Sequence, residues 1–156
     1  LSHIEAQEIW LKKHANESTN EVAAFSCQVV HGDFQSENIL FAHDAEISAV
    51  LDWDLAYSAP KELDIIRSLH YLFNFSPSAS SIFLEGYSEK NSFDKSYLVK
   101  MSRYYTFQQA HDLWMFSEAY IRGNSKVRRR FNKSGFISVE MPLKIMYDHP
   151  TFKTYL

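Results

Sequence analysis

The chain predicts an α+β domain, mainly helical, with one short β-hairpin at its chemical centre. Three observations predict it. Asn38–Ala42 and Glu46–Leu51 are short runs rich in Ile, Leu, Phe and Val, with His43-Asp44-Ala45 as a turn between them. Elsewhere apolar residues recur at helical spacing, punctuated by caps and prolines. No repeat or low-complexity stretch divides the 156 residues, and a 46% hydrophobic content supplies one real core, so residues 1–156 read as one domain.

Ser2, with Glu5 three residues later, makes a capping box for a helix reaching about Asn16. The polar stretch Asn16–Glu21 ends it, and Val29-Val30 is a short β-prone approach to His31. In a paired hairpin the start of the first strand lies beside the end of the second. Asn38 and Asp52 therefore meet at its open end, with Asp33 one loop upstream. Pro60 suits a first helical position, and the helix to about Phe73 buries Ile65, Ile66, Leu69, Leu72 and Phe73. Asn74–Ser80 reads as a turn-rich break and Ser81–Glu89 as a second helix. Asp94–Ile121 is the longest element, a central helix apolar on several sides and ended by Gly123. A final turn or two around Met141–Tyr147 precedes a loosely packed tail.

Bulk properties exclude some functions. A net charge of −3 leaves no basic footprint for nucleic acid. The one basic cluster, Lys126-Val127-Arg128-Arg129-Arg130, reads as a solvated loop or helix end. The single cysteine, Cys27, has no internal partner and reads as a small buried hydrophobe, which fits a reducing compartment. No run of 18 apolar residues and no charged-then-apolar leader is present, so the expectation is a soluble, cytoplasmic protein without membrane contact. The seven histidines lack metal-binding spacing, which argues against a zinc hydrolase and against a two-metal phosphoesterase.

The chemistry concentrates in His31-Gly32-Asp33-Phe34-Gln35-Ser36-Glu37-Asn38 and Leu51-Asp52-Trp53-Asp54. Four specified residues at fixed spacing should match by chance roughly once per 10^5 positions at ordinary composition. Phosphoryl transfer asks little covalent chemistry of a protein. It needs a group to orient the attacking hydroxyl and ligands for the metal that bridges the nucleotide phosphates. Asp33 is the candidate for the hydroxyl. Asp52 and the Asn38 amide oxygen are the candidate ligands of Mg²⁺, which favours oxygen donors and keeps phosphate and water in its shell. Gly32 allows a tight backbone turn. His31 reads as a structural hydrogen-bonding residue, Trp53 as packing, and Asp54 as a local hydrogen-bonding group.

These residues resemble the signature of the aminoglycoside phosphotransferase and choline kinase family, small-molecule relatives of protein kinases. The resemblance is specific from about Val29 to Leu69 and includes Pro60 and Asp64-Ile65. It implies a protein-kinase-like fold, here mainly the helical C-terminal lobe. It further implies Asp33 as catalytic base or orienting carboxylate, Asn38 and Asp52 as metal and nucleotide ligands, and Asp64 as a brace for the catalytic loop. The cofactors implied are Mg²⁺ and ATP (or GTP), and the acceptor is a small-molecule hydroxyl such as an aminoglycoside, choline-like alcohol or sugar. Ala59 stands where many members have glycine, a change that touches only the turn.

The family clamps nucleotide with an N-terminal β-lobe bearing a Gly-rich loop and a strand lysine. Four glycines assemble no such loop, and Lys12 and Lys13 fall on a helix. The chain also begins at Leu1, in helical sequence, so the expectation is one lobe of a longer protein whose upstream lobe is its partner. A non-catalytic lobe that binds a ligand or partner is the alternative. Asp112, Glu118, Glu85 and Glu89 are weak candidates for holding an acceptor amine, as are Trp114, Tyr104 and Tyr105 for stacking on it.

Overall fold

A computed structural model describes residues 3–16, 25–134 and 138–150. Helix α1 (His3–Lys13) has Glu5 in its first turn and Lys12 and Lys13 in its last, signs that suit the helix dipole. The proposed cap Ser2 lies outside the described residues. Trp10 stacks on His14, with ring centroids 4.3 Å apart, and meets Phe107 edge-on. The Gln7 side-chain amide donates to the Ala110 carbonyl at 2.5 Å, which ties α1 to the later helices.

Strands come in two antiparallel pairs. β2 (Ile39–Phe41) pairs with β3 (Ile47–Val50), with Ile39 opposite Val50 and Leu40 opposite Ala49. The turn between them is closed by Ala45 N–H donating to the Ala42 carbonyl, with Ala45 in the left-handed region. The second pair was not expected: β1 (Gln28–Val30) lies against β4 (Tyr57–Ala59), with Val30 opposite Tyr57. Only Val30 of β1 turns into the core, so Cys27, just upstream, is exposed rather than buried.

Helix α2 (Glu62–Tyr71) starts two residues after Pro60. Its stripe Ile65, Ile66 and Leu69 is fully buried, and each such side chain contributes about 1.5–3 kcal/mol of burial. Leu72 and Phe73 fall beyond it, because Asn74 and Phe75 take positive φ. Phe75 N–H donates back to the Leu69 carbonyl at 2.8 Å, and the Phe75 ring folds into the core. α3 (Pro77–Ser88) begins four residues before its expected start, because Pro77 takes a first-turn position.

The long helix is broken in two. α4 (Lys95–His111) is capped by Asp94, which accepts from Ser96 N–H at 2.7 Å. Asp112 then leaves helical geometry and accepts from Trp114 N–H at 3.2 Å, starting α5 (Trp114–Phe116). A π-helical turn, Ser117–Ile121, follows, and Gly123 ends the run at φ +71°. The basic cluster lies in the first half of α6 (Ser125–Ser134), with Lys126, Arg128 and Arg129 exposed. α7 (Glu140–Asp148) closes the chain's described part.

The core joins α2 to α4, with Leu84 of α3, Leu143 and Met146 of α7 and Val30 of β1 around them. No helix among the described residues is long and apolar enough to cross a membrane.

Candidate active site

The loop between β1 and β2 is built around Gly32. Its φ is +76°, and a Cβ there would lie 2.2 Å from the Leu55 carbonyl oxygen, so only glycine fits. Asp64, in the first turn of α2, clamps this loop from below. Its Oδ2 accepts from His31 N–H at 2.5 Å and its Oδ1 from Gly32 N–H at 3.1 Å. The buried His31 ring adds a second tie. Its Nδ1 accepts from Asp33 N–H at 3.2 Å, so Nε2 carries the hydrogen and donates to the Leu51 carbonyl at 2.8 Å. One imidazole therefore links the loop to the end of the second hairpin strand.

Asp33 is brought beside Asn38. The Asn38 amide nitrogen donates to the Asp33 carbonyl at 2.9 Å and to Asp33 Oδ2 at 3.2 Å, leaving Asn38 Oδ1 free for a metal. Leu51 N–H donates to the Asn38 carbonyl at 2.8 Å, which sets Asp52 next to Asn38 across the open end of the hairpin. Asp52 is exposed and has no hydrogen-bond partner among the described residues. It holds a left-handed backbone, φ 61° and ψ 64°, a strained state that surrounding structure sustains mainly at functional positions. An unpaired carboxylate and a free amide oxygen at one hairpin end form a donor set suited to a Mg²⁺ that keeps phosphate and water in its remaining positions.

Sequence reasoning missed two partners of Asp33. Arg67 Nη1 donates to Asp33 Oδ1 at 3.1 Å, and Gln35 Nε2 donates to Asp33 Oδ2 at 3.0 Å. The signal for Arg67 was its place three residues after Asp64, on one face of α2. Asp64 thus fixes the loop backbone while Arg67 fixes the loop carboxylate. Arg67 is itself held over the rings of Tyr71 and Tyr105, at 5.4 and 5.9 Å from their centroids.

His70 lies one turn along α2. Burial, reinforced by the Arg67 charge, pushes its pKa down to about 4. Burial likewise pushes the Tyr105 phenol up, so this hydroxyl stays protonated, and it shares a 3.2 Å hydrogen bond with His70 Nδ1. Below pH 6.5 the unfolded chain takes a proton that the folded one refuses, so stability falls as pH drops from about 6.5 toward 4. The loss is at most about 3 kcal/mol. Chemical denaturation at pH 7 and pH 5 should show this loss in the wild type, and a smaller one in His70→Gln.

Trp53 is half exposed, yet its indole N–H donates to the Val50 carbonyl at 3.0 Å and its ring lies 4.6 Å from that of His31. Asp54 makes no local hydrogen bond among the described residues. Of the weak acceptor-binding candidates, Tyr105 is buried beneath Arg67, Glu118 pairs with Arg122, and Asp112 caps α5.

A family model described as the phosphotransferase enzyme family matches residues 3–98, which include Asp33, Asn38, Asp52, Asp64 and Arg67. No curated protein matches the chain.

Proposed function

Because the chain belongs to the phosphotransferase enzyme family, whose membership implies kinase-type transfer to small molecules, we propose that it carries the catalytic residues of an ATP- or GTP-dependent kinase acting on a small-molecule hydroxyl. The observation that carries this reading is the convergence of Asp33, Asn38 and Asp52 at one end of the hairpin, on a loop clamped by Asp64.

Asp33 accepts the proton of the acceptor hydroxyl as its oxygen attacks the γ-phosphorus and the bond to the nucleoside diphosphate breaks. Arg67 and Gln35 hold that carboxylate in place. Asn38 and Asp52 would hold Mg²⁺, whose charge offsets that of the phosphates. The exposed apolar side chains Leu40 and Leu51, beside Asn38 and Asp52, offer a floor for the nucleotide base. The acceptor class extends to aminoglycosides, choline-like alcohols and sugars.

We place residues 1–156 in the helical C-terminal lobe. None of the four strands among the described residues carries a lysine. The strands expose a wide apolar surface, including Val29 at 70% and Phe41 at 61%, which suits cover by a nucleotide-clamping lobe.

Titration calorimetry on the full-length gene product tests the metal assignment. Asp52→Ala is expected to weaken Mg²⁺-dependent nucleotide binding at least about tenfold, the low end for disturbing a metal site. Unchanged affinity would remove Asp52 from the metal site.

A further inference from the structure

The hydrogen bonds on Asp33 fix where an acceptor hydroxyl can dock. Oδ2 accepts from Gln35 Nε2 at 3.0 Å and from Asn38 Nδ2 at 3.2 Å, while Oδ1 accepts from Arg67 Nη1 at 3.1 Å. A carboxylate offers about four lone-pair sites, two on each oxygen. The open one is therefore on Oδ1, beside the Arg67 guanidinium. A hydroxyl seated there lies about 5 Å from Arg67 Nη1, the separation of two partners on the lone pairs of one oxygen.

Arg67 is placed to meet whatever comes with that hydroxyl. A guanidinium carries five N–H donors, and Nη1 spends one on Asp33. No other group accepts from the guanidinium among the described residues. None of its nitrogens is both buried and without a partner, so the unused donors open to solvent. The side chain is only 20% exposed, and its head is held over the rings of Tyr71 and Tyr105. Its position is thus fixed while its donors stay available.

Such a fork selects an acceptor by the group next to the reacting hydroxyl. An oxygen on the adjacent carbon, as in a vicinal diol or a sugar, accepts from Arg67. An ammonium there has no lone pair, adds a like charge, and leaves the donors unmatched once water is displaced. The Asp33 charge is already met by Arg67, so an ammonium gains little from it.

Resting on the kinase reading above, we propose that Arg67 is a specificity-determining residue of the acceptor site. It selects acceptors with a hydroxyl oxygen beside the phosphorylated hydroxyl and disfavours those with an ammonium there. This narrows the acceptor to polyols and sugars and sets choline-like amino alcohols apart. The acceptor oxygen bonds the γ-phosphorus, the bond to the nucleoside diphosphate breaks, and Asp33 Oδ1 takes the proton.

The test is transfer from Mg-ATP and Mg-GTP by the full-length gene product to two matched pairs, glycerol against serinol and ethylene glycol against ethanolamine. Within each pair, one hydroxyl beside the reacting one is replaced by an ammonium. In the wild type kcat/KM should favour the diol at least about tenfold, well inside what a hydrogen-bonding site achieves. Arg67→Gln should slow both members, because Asp33 loses a tether, and bring their ratio close to one. A merely structural Arg67 would slow both alike and leave the ratio in place. Asp33-dependent transfer to either member upholds the kinase reading, so the ratio alone judges this inference. A wild-type preference for the amino alcohol, equal rates, or an unchanged ratio in a folded Arg67→Gln would overturn it. Should Arg67→Gln not fold, Arg67→Lys decides, since it keeps the charge without the planar fork. A narrowed ratio then supports the inference, and an unchanged one rejects it. Should neither member of either pair be phosphorylated, ligand-observed NMR of the same pairs with Mg²⁺ and a non-hydrolysable ATP analogue reads the preference as binding. Tighter diol binding that Arg67→Gln abolishes supports the inference, and its absence overturns it.

Discussion

Asp33→Asn is expected to lower turnover at least about 10^2-fold, the low end for a lost general base. Nucleotide affinity should change little. Asparagine fills the same space and its one carbonyl oxygen can still accept from Arg67 Nη1, while its amide takes the place of Oδ2 and gives up the bond from Gln35 Nε2; the loop keeps its shape through the Asp64 clamp. It cannot take the acceptor's proton. The loss should therefore fall on kcat rather than on the KM for nucleotide. Near wild-type turnover would exclude Asp33 from the chemistry.

Asp64→Ala should produce the largest structural defect. It removes two charge-assisted hydrogen bonds, each worth about 1.5–3 kcal/mol, and orphans the N–H groups of His31 and Gly32. A loss of roughly 3–5 kcal/mol is a large part of the 5–15 kcal/mol that stabilises an ordinary domain. Urea unfolding should show a lower midpoint with an unchanged slope. Turnover should fall too, even where the variant remains folded, because Asp33 then sits on an unanchored loop. A stability change below about 1 kcal/mol would mean that Asp64 is no brace.

The site was legible because its parts are close in sequence. Asp33 to Asn38 is a single loop, and hairpin geometry alone carried Asn38 to Asp52. The turn at His43-Asp44-Ala45 and the buried stripe of α2 followed from period and propensity. What escaped depends on contacts distant along the chain. β4 has only three residues and exists through pairing with β1. The break in the long helix is local, yet a run of apolar residues on several faces masked Asp112, whose side chain caps the next helix better than it serves the interior of one. Cys27 looked buried beside Val29 and Val30, but an edge strand buries one face at most, and here only Val30 goes in. Arg67 was passed over because its partner lies 34 residues upstream.

The most direct measurement is γ-phosphate transfer by the full-length gene product from Mg-ATP and Mg-GTP. The acceptor panel would hold aminoglycosides, choline, ethanolamine, homoserine and simple sugars, with Asp33→Asn run alongside. Transfer to at least one acceptor that falls at least about 10^2-fold in Asp33→Asn is the predicted result. Transfer that persists undiminished in Asp33→Asn, or a folded protein that neither transfers phosphate nor binds Mg-nucleotide, would contradict the account.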